Sequence, residues 1–198
     1  MYHSPRGSRM KRPARYFRAG VGAVIADSRG RVLALERSDY RGAWQLPQGG
    51  LEKGETPLEG VYREIAEETG LKPRAMKMVA RYPDLLAYEL PPKAQSKKTG
   101  MGQVQYWFFF LMKKDPDVAP KVPKGEFRAA RWVALDRVVS GVATFRKPVY
   151  LKLRTYFETF FPTHRGRARK VSAPARSRPG GVARKASRRA RRAAPSSP

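Results

Sequence analysis

The stretch from Gly49 to Leu71 constrains this chain more than any other, because it spells out one capped helix and the loop that leads into it. Thr56 suits the N-cap, Pro57 the first helical position, and Glu59 completes a T-x-x-E capping box. Gly70 stands where a left-handed C-cap belongs, so the spacing predicts a helix over 57–69. Leu58, Val61, Tyr62 and Ile65 recur at helical intervals and are expected to face a core. Glu64, Glu67 and Glu68 fall at i, i+3 and i+4 and share a face. A purely structural helix normally sets lysines four residues from its glutamates, whereas here Glu64 meets Glu68. A solvated acidic face is one reading. The neighbours favour another: Glu55 precedes the helix, Arg63 follows eight residues later, and the Gly49-Gly50 loop allows backbone to approach an ion or phosphate closely. Together they point to an oxygen-ligand site for a hard divalent cation, Mg²⁺ or Mn²⁺. Such an ion neutralises diphosphate charge and polarises phosphorus toward attack by water.

Around this stretch the pattern alternates strands and helices. Residues 20–26 read as a buried strand, 27–30 as a turn and 31–37 as the hairpin partner. Further strands are expected near 76–82, 85–90, 103–112 and 127–135, with polar, proline-containing loops at 91–102 and 113–125. A short helical turn is expected at 136–140. An amphipathic helix follows over 148–161, its apolar side made of Val149, Leu151, Leu153, Tyr156, Phe157 and Phe160. Trp107 and Phe108 to Phe110 read as core rather than ligand contacts.

The formal net charge of +26 is unevenly placed. Residues 1–18 hold six basic side chains and 162–198 hold twelve, with no acid in either stretch. This implies a flexible basic arm over 1–15, a globular domain over 16–161 and a disordered Arg-rich tail over 162–198, too poor in apolar surface to offset its ordering entropy. Cationic tails attract polyanions, and nucleic acid is the expected partner. Arg188-Arg189 and Arg191-Arg192 have no aromatic between them, which suits sequence-independent phosphate binding rather than base stacking. The chain has no cysteine, hence no disulfide framework, and no apolar run near the ~18 residues a membrane span requires. It reads as a soluble cytoplasmic protein without a membrane partner.

Read from Gly49, the run G-x₅-E-x₇-R-E-I-x-E-E-x-G-L resembles the Nudix box in full, with Gly49, Glu55, Arg63, Glu64, Ile65, Glu67, Glu68, Gly70 and Leu71 in place. Other segments resemble one branch of that family, the bacterial RNA pyrophosphohydrolases and related dinucleoside polyphosphate hydrolases. They are Tyr16-Phe17-Arg18, the W-Q-x-P-Q-G-G run from Trp44 to Gly50, and the G-Q-x-Q-x-W-F run from Gly102 to Phe108. Glu126-Phe127, Arg131-Trp132-Val133 and the segment from Phe145 to Tyr150 extend the likeness, which covers about residues 16–161.

The resemblance implies a Nudix-type α/β/α sandwich with a mixed sheet, and a metal-dependent pyrophosphohydrolase. It implies Glu67 and Glu68 as metal ligands, Glu64 as a ligand or the base that activates water, and Arg63 with Glu55 as a buttress for the loop. A backbone carbonyl near Gln48 or Gly49 joins the metal set. Glu126 is a further ligand, or else an exposed acid at a strand end. Arg18 either clamps phosphate or simply belongs to the basic flank, Arg146 is expected at phosphate, and Gln48 at the substrate. Phe145 either stacks on a base or belongs to the core. The chain departs from the branch at Ser38, where a second basic residue is usual, and at Arg146, where lysine is usual. An arginine keeps the charge but does not reproduce a lysine's proton transfer. The implied substrate is 5′-triphosphorylated RNA, hydrolysed to a 5′-monophosphate. A dinucleoside polyphosphate is the alternative, and a catalytically silent RNA-binding Nudix fold is a third reading.

Overall fold

In the computed structural model, residues 16–161 are described except 116–118, 121 and 124. The expected arm and tail lie outside that range. The longest strand pairing joins segments far apart in sequence. Strand β1 (Phe17–Ala26) runs parallel to β7 (Gly102–Met112), from Phe17 opposite Gly102 to Ala26 opposite Leu111. Both strands are nearly continuous apolar runs, as suits strands covered on two faces. Val21, Ala23 and Ile25 join Phe108, Phe110 and Met112 on one face, against Val61 and Ile65 of helix α1 (Pro57–Thr69). Val24, Ala26, Trp107 and Phe109 face the other way. There they meet α2 (Leu135–Gly141) and α3 (Lys147–Phe157) through Val138, Val139, Val149, Tyr150, Leu153 and Phe157. The result is the expected α/β/α sandwich, with the aromatic strand at its core.

The sheet also holds β2 (Val32–Arg37), β3 (Trp44–Gln45), β4 (Gln48–Gly50), β5 (Met76–Arg81), β6 (Leu86–Glu89) and β8 (Phe127–Val133). Its order is β3-β2-β1-β7-β5, with β4 beside β1, β6 beside β7 and β8 beside β2. The expected hairpin of β1 and β2 forms only at its turn. Asp27 N–H donates to the Arg31 carbonyl (2.9 Å), and the buried Asp27 carboxylate accepts from Arg29 N–H (3.0 Å) and Arg31 N–H (2.8 Å). Beyond the pair Ala26–Val32 the strands part. The reason is β4, which takes the freed edge of β1 through Gly20–Gly50, Val21–Gly49 and Gly22–Gln48. That substitution brings the glycine loop onto the sheet.

Helix α1 has the predicted bounds and both reciprocal bonds of the capping box: Glu59 N–H to Thr56 Oγ1 (3.3 Å) and Thr56 N–H to Glu59 Oε2 (2.9 Å). Gly70 closes it at φ 70°. Leu58 does not join the core, being 39% exposed in the first turn. Burial runs toward the other end of the helix and takes Glu68 and Thr69 with it. The last helix is shorter than expected, ending at Phe157 rather than 161. Turns lead from there toward Pro162, whose ring disfavours helical backbone before it. Leu151, within the helix, and Phe160, past its end, both lie exposed, off the buried stripe of Val149, Leu153 and Phe157. Among the described residues, no helix is long and apolar enough to cross a membrane.

Candidate active site

The pairing of β4 with β1 sets Gly49 and Gly50 directly under side chains of the site. A methyl on Gly49 would collide with the Glu64 carboxylate, and one on Gly50 with the Arg18 guanidinium. Sequence reasoning assigned these glycines to the close approach of an ion or phosphate, yet the chain's own acid and base already fill the space above them. The Gly49 carbonyl lies against Gly20, 2.6 Å from where a methyl on Gly20 would stand.

Arg63 organises the acids. Its Nε and Nη2 donate to the two oxygens of Glu55 (2.8 and 3.0 Å), and Nη2 also reaches the Gly50 carbonyl (2.9 Å). Its Nη1 donates to Glu64 Oε1 (2.9 Å) and Glu67 Oε2 (3.1 Å). A planar fork with several donors serves such a junction better than a lysine. Hydrogen bonding to Glu55, ahead of that to Glu64, holds Arg63 firmly protonated, and Arg63 in turn holds Glu55 below its usual range. Burial pushes Glu64 upward, against the pull of Arg63. Glu68 is pushed up to about 9, first by burial and then by the charges of Glu64, Glu126 and Glu67, with the Gln48 N–H (3.1 Å) opposing. The donor chemistry therefore fits a hard divalent cation: oxygen ligands only, with an excess of negative charge that such an ion relieves. The side chains are not gathered into a cage. Among the described residues no three acidic or histidine side chains are placed to hold an ion, since Arg63 takes Glu64 and Glu67.

A polar recess of about 230 Å³ brings together Arg18, Gln48, Gly49, Glu64, Glu126 and Arg146. Glu67 and Glu68 stand beside it on α1, outside its lining. The recess opens into a cleft of about 600 Å³ that shares Arg18, Glu126 and Arg146 with it and adds Tyr40, Trp44 and Phe145. Glu126, half-exposed, bonds to Arg37 Nη1 (2.9 Å), while Arg37 also grips Asp39 through two bonds (2.8 and 2.7 Å).

Arg146 is more embedded than a phosphate hook would be. Its guanidinium lies over the rings of Tyr88 (5.3 Å) and Phe145 (5.5 Å) and donates to Gln45 Oε1. With the Gln48 amide oxygen turned toward it, Gln48 accepts from both Nη atoms (2.9 and 3.2 Å). Phe145 is half-buried: it packs against Tyr88 at 5.5 Å and also lines the cleft.

Sequence reasoning missed Arg37, Gln45, Tyr88 and Gln103, of which Gln45 and Gln103 also line the recess. The signal lay in glutamines within apolar strands. Buried amides require partners, and Gln105 finds one in Gln103 Oε1 (3.0 Å).

Acids massed on a helix above a glycine loop, beside a basic cleft of nucleotide size, define the class of phosphoanhydride hydrolases. Residues 16–153 match the family model described as the NUDIX domain, and the chain belongs to that family. It is 38% identical over 146 residues to the RNA pyrophosphohydrolase of Zymomonas mobilis, covering 71% of this chain and 94% of that protein. It is likewise 38% identical over 149 residues to the RNA pyrophosphohydrolase of Pseudoalteromonas translucida, covering 73% and 86%. Among solved structures, the dihydroneopterin triphosphate pyrophosphohydrolase of E. coli superposes at a TM-score of 0.57 over 73% of this chain and 96% of that one. At 19% identity that likeness speaks for the fold alone.

Proposed function

We propose that this Nudix hydrolase acts on the triphosphorylated 5′ end of RNA and leaves a 5′-monophosphate. The observation that carries this reading is the recess in which Glu64 and Glu126 face Arg18 and Arg146, opening into a cleft with room for a nucleoside. Relatives named RNA pyrophosphohydrolase support the choice of substrate. Glu67 and Glu68 would hold the metal, joined by Glu126 and the Gly49 carbonyl, and Glu64 would be a further ligand or the base. A bound Mg²⁺ or Mn²⁺ supplies charge neutralisation and polarises phosphorus. Arg18 holds phosphate oxygens, guanidinium matching their geometry, while Arg146, embedded over Tyr88 and Phe145, lends its positive charge to the recess. Gln48 fixes Arg146, and Phe145 and Tyr40 flank the base. Arg63 and Glu55 brace the loop. Water forms the new bond to phosphorus, the anhydride P–O bond breaks, and the bridging oxygen leaves with its phosphate group.

A dinucleoside polyphosphate offers the same anhydride and is the second reading. The test gives purified protein with Mg²⁺ or Mn²⁺ both 5′-triphosphorylated RNA and diadenosine tetraphosphate, following release of phosphate or pyrophosphate. The RNA substrate should turn over faster. Faster dinucleotide cleavage overturns the substrate assignment, and turnover of neither leaves the silent RNA-binding fold. The basic flanks, outside the described residues, are proposed to concentrate the enzyme on nucleic acid in the cytoplasm.

A further inference from the structure

A separate groove of about 290 Å³ adjoins the cleft and plays no part in the reaction described above. Trp44, Arg131, Val133, Arg137, Val138 and Ser140 line it. Trp44 lines the cleft as well, and α2 serves both hollows, giving Arg137, Val138 and Ser140 to the groove and Gly141 to the cleft. The two hollows are therefore neighbours across one indole. The Arg131 guanidinium lies over the Trp44 ring, 5.1 Å from its centroid. A guanidinium stacked by its face keeps its N–H edges for phosphate oxygens. Arg131, Arg137 and Ser140 are all exposed. Among the described residues, neither of these two arginines enters an ion pair, whereas Arg37, Arg63 and Arg154 each do. No acid lines the groove.

We propose that this groove holds the RNA chain downstream of the nucleotides in the cleft, with Arg131 and Arg137 each meeting a backbone phosphate once the strand has passed Trp44. The inference rests on the RNA reading given above. Unneutralised guanidiniums beside an aromatic ring suit a single strand of any sequence. The groove thus selects for chain length: a substrate of two nucleosides ends in the cleft, whereas a longer RNA gains two further contacts.

The test uses the full-length protein and two 5′-triphosphorylated substrates with the same first bases, a dinucleotide and an RNA of about ten nucleotides. In Arg131→Ala/Arg137→Ala, KM for the longer RNA should rise about tenfold with kcat unchanged, while both constants for the dinucleotide stay as they were. The slope of log KM against log salt for the longer RNA should fall by about 1.4, from two lost single-strand phosphate contacts. Arg131→Lys/Arg137→Lys should recover most of the loss. An unchanged KM for the longer RNA, or an equal loss on both substrates through a disturbed Trp44, overturns the proposal. If the wild type cleaves neither substrate, the hydrolase reading fails by itself. The groove is then judged by fluorescence anisotropy on a 5′-monophosphorylated RNA of the same length, where tenfold weaker binding by the alanine pair supports it and equal binding overturns it.

Discussion

At Glu68 burial and neighbouring acids hold a proton on the carboxyl up to about pH 9, against an ordinary value of 4.5. Between those values the native protein without metal carries a proton that the unfolded chain has lost. The contribution of this group to stability is therefore fully present below about 4.5 and is lost as pH rises through 9, by up to about 1.4 kcal/mol per pH unit. Melting curves in EDTA across that range should show the decline, and Glu68→Gln should flatten it. A wild type and variant with parallel profiles would remove the premise. Divalent cation works the other way, because it favours the charged carboxylate. In catalysis, Glu67→Gln or Glu68→Gln should lower kcat/KM by about 10²-fold or more. Either variant retaining full activity would overturn the ligand role proposed for that residue.

Helix α1 shows how far local signals reach. Its bounds, capping box and C-terminal glycine were readable because each depends on residues within four positions of one another. Thr56→Ala should cost about 1 kcal/mol in denaturant melts, and an unchanged midpoint would show the cap to be idle. Leu58 misled because helical spacing fixes a stripe but not how much of its length the sheet covers. The β1–β2 hairpin misled for a related reason. The turn at Asp27 to Gly30 was readable, whereas the insertion of β4 depends on Gly20 and Gly22 facing Gly50 and Gln48, pairs distant in sequence. In the site, the glutamates were visible from their spacing. What Arg63 does with them was only half visible. Its bond to Glu55 came with the family resemblance, but its simultaneous hold on Glu64 and Glu67 depends on side-chain directions that spacing leaves open.

Across the whole molecule, charge separates two kinds of attraction. The globular part holds a defined recess, while the flank over 162–198 carries twelve basic residues and no acid. Deleting 165–198 should weaken RNA binding and flatten its salt dependence, yet leave turnover of a small nucleotide intact. Filter binding across a salt series checks the first, and unchanged RNA affinity would deny the tail its part.

The parallel pairing of β1 with β7 also bears on when the enzyme becomes active. Phe17 is made early but waits for Gly102, and Ala26 for Leu111, so the central ladder closes across a long stretch of intervening chain. The glycine loop and α1 lie within that stretch. During synthesis the capped helix, a local structure, can form soon after it leaves the ribosome, but its glutamates have no sheet to stand on until β7 has followed. A nascent chain stopped short of Met112 would carry every residue of the Nudix box from Gly49 to Leu71 and still lack the sheet that makes it a catalyst.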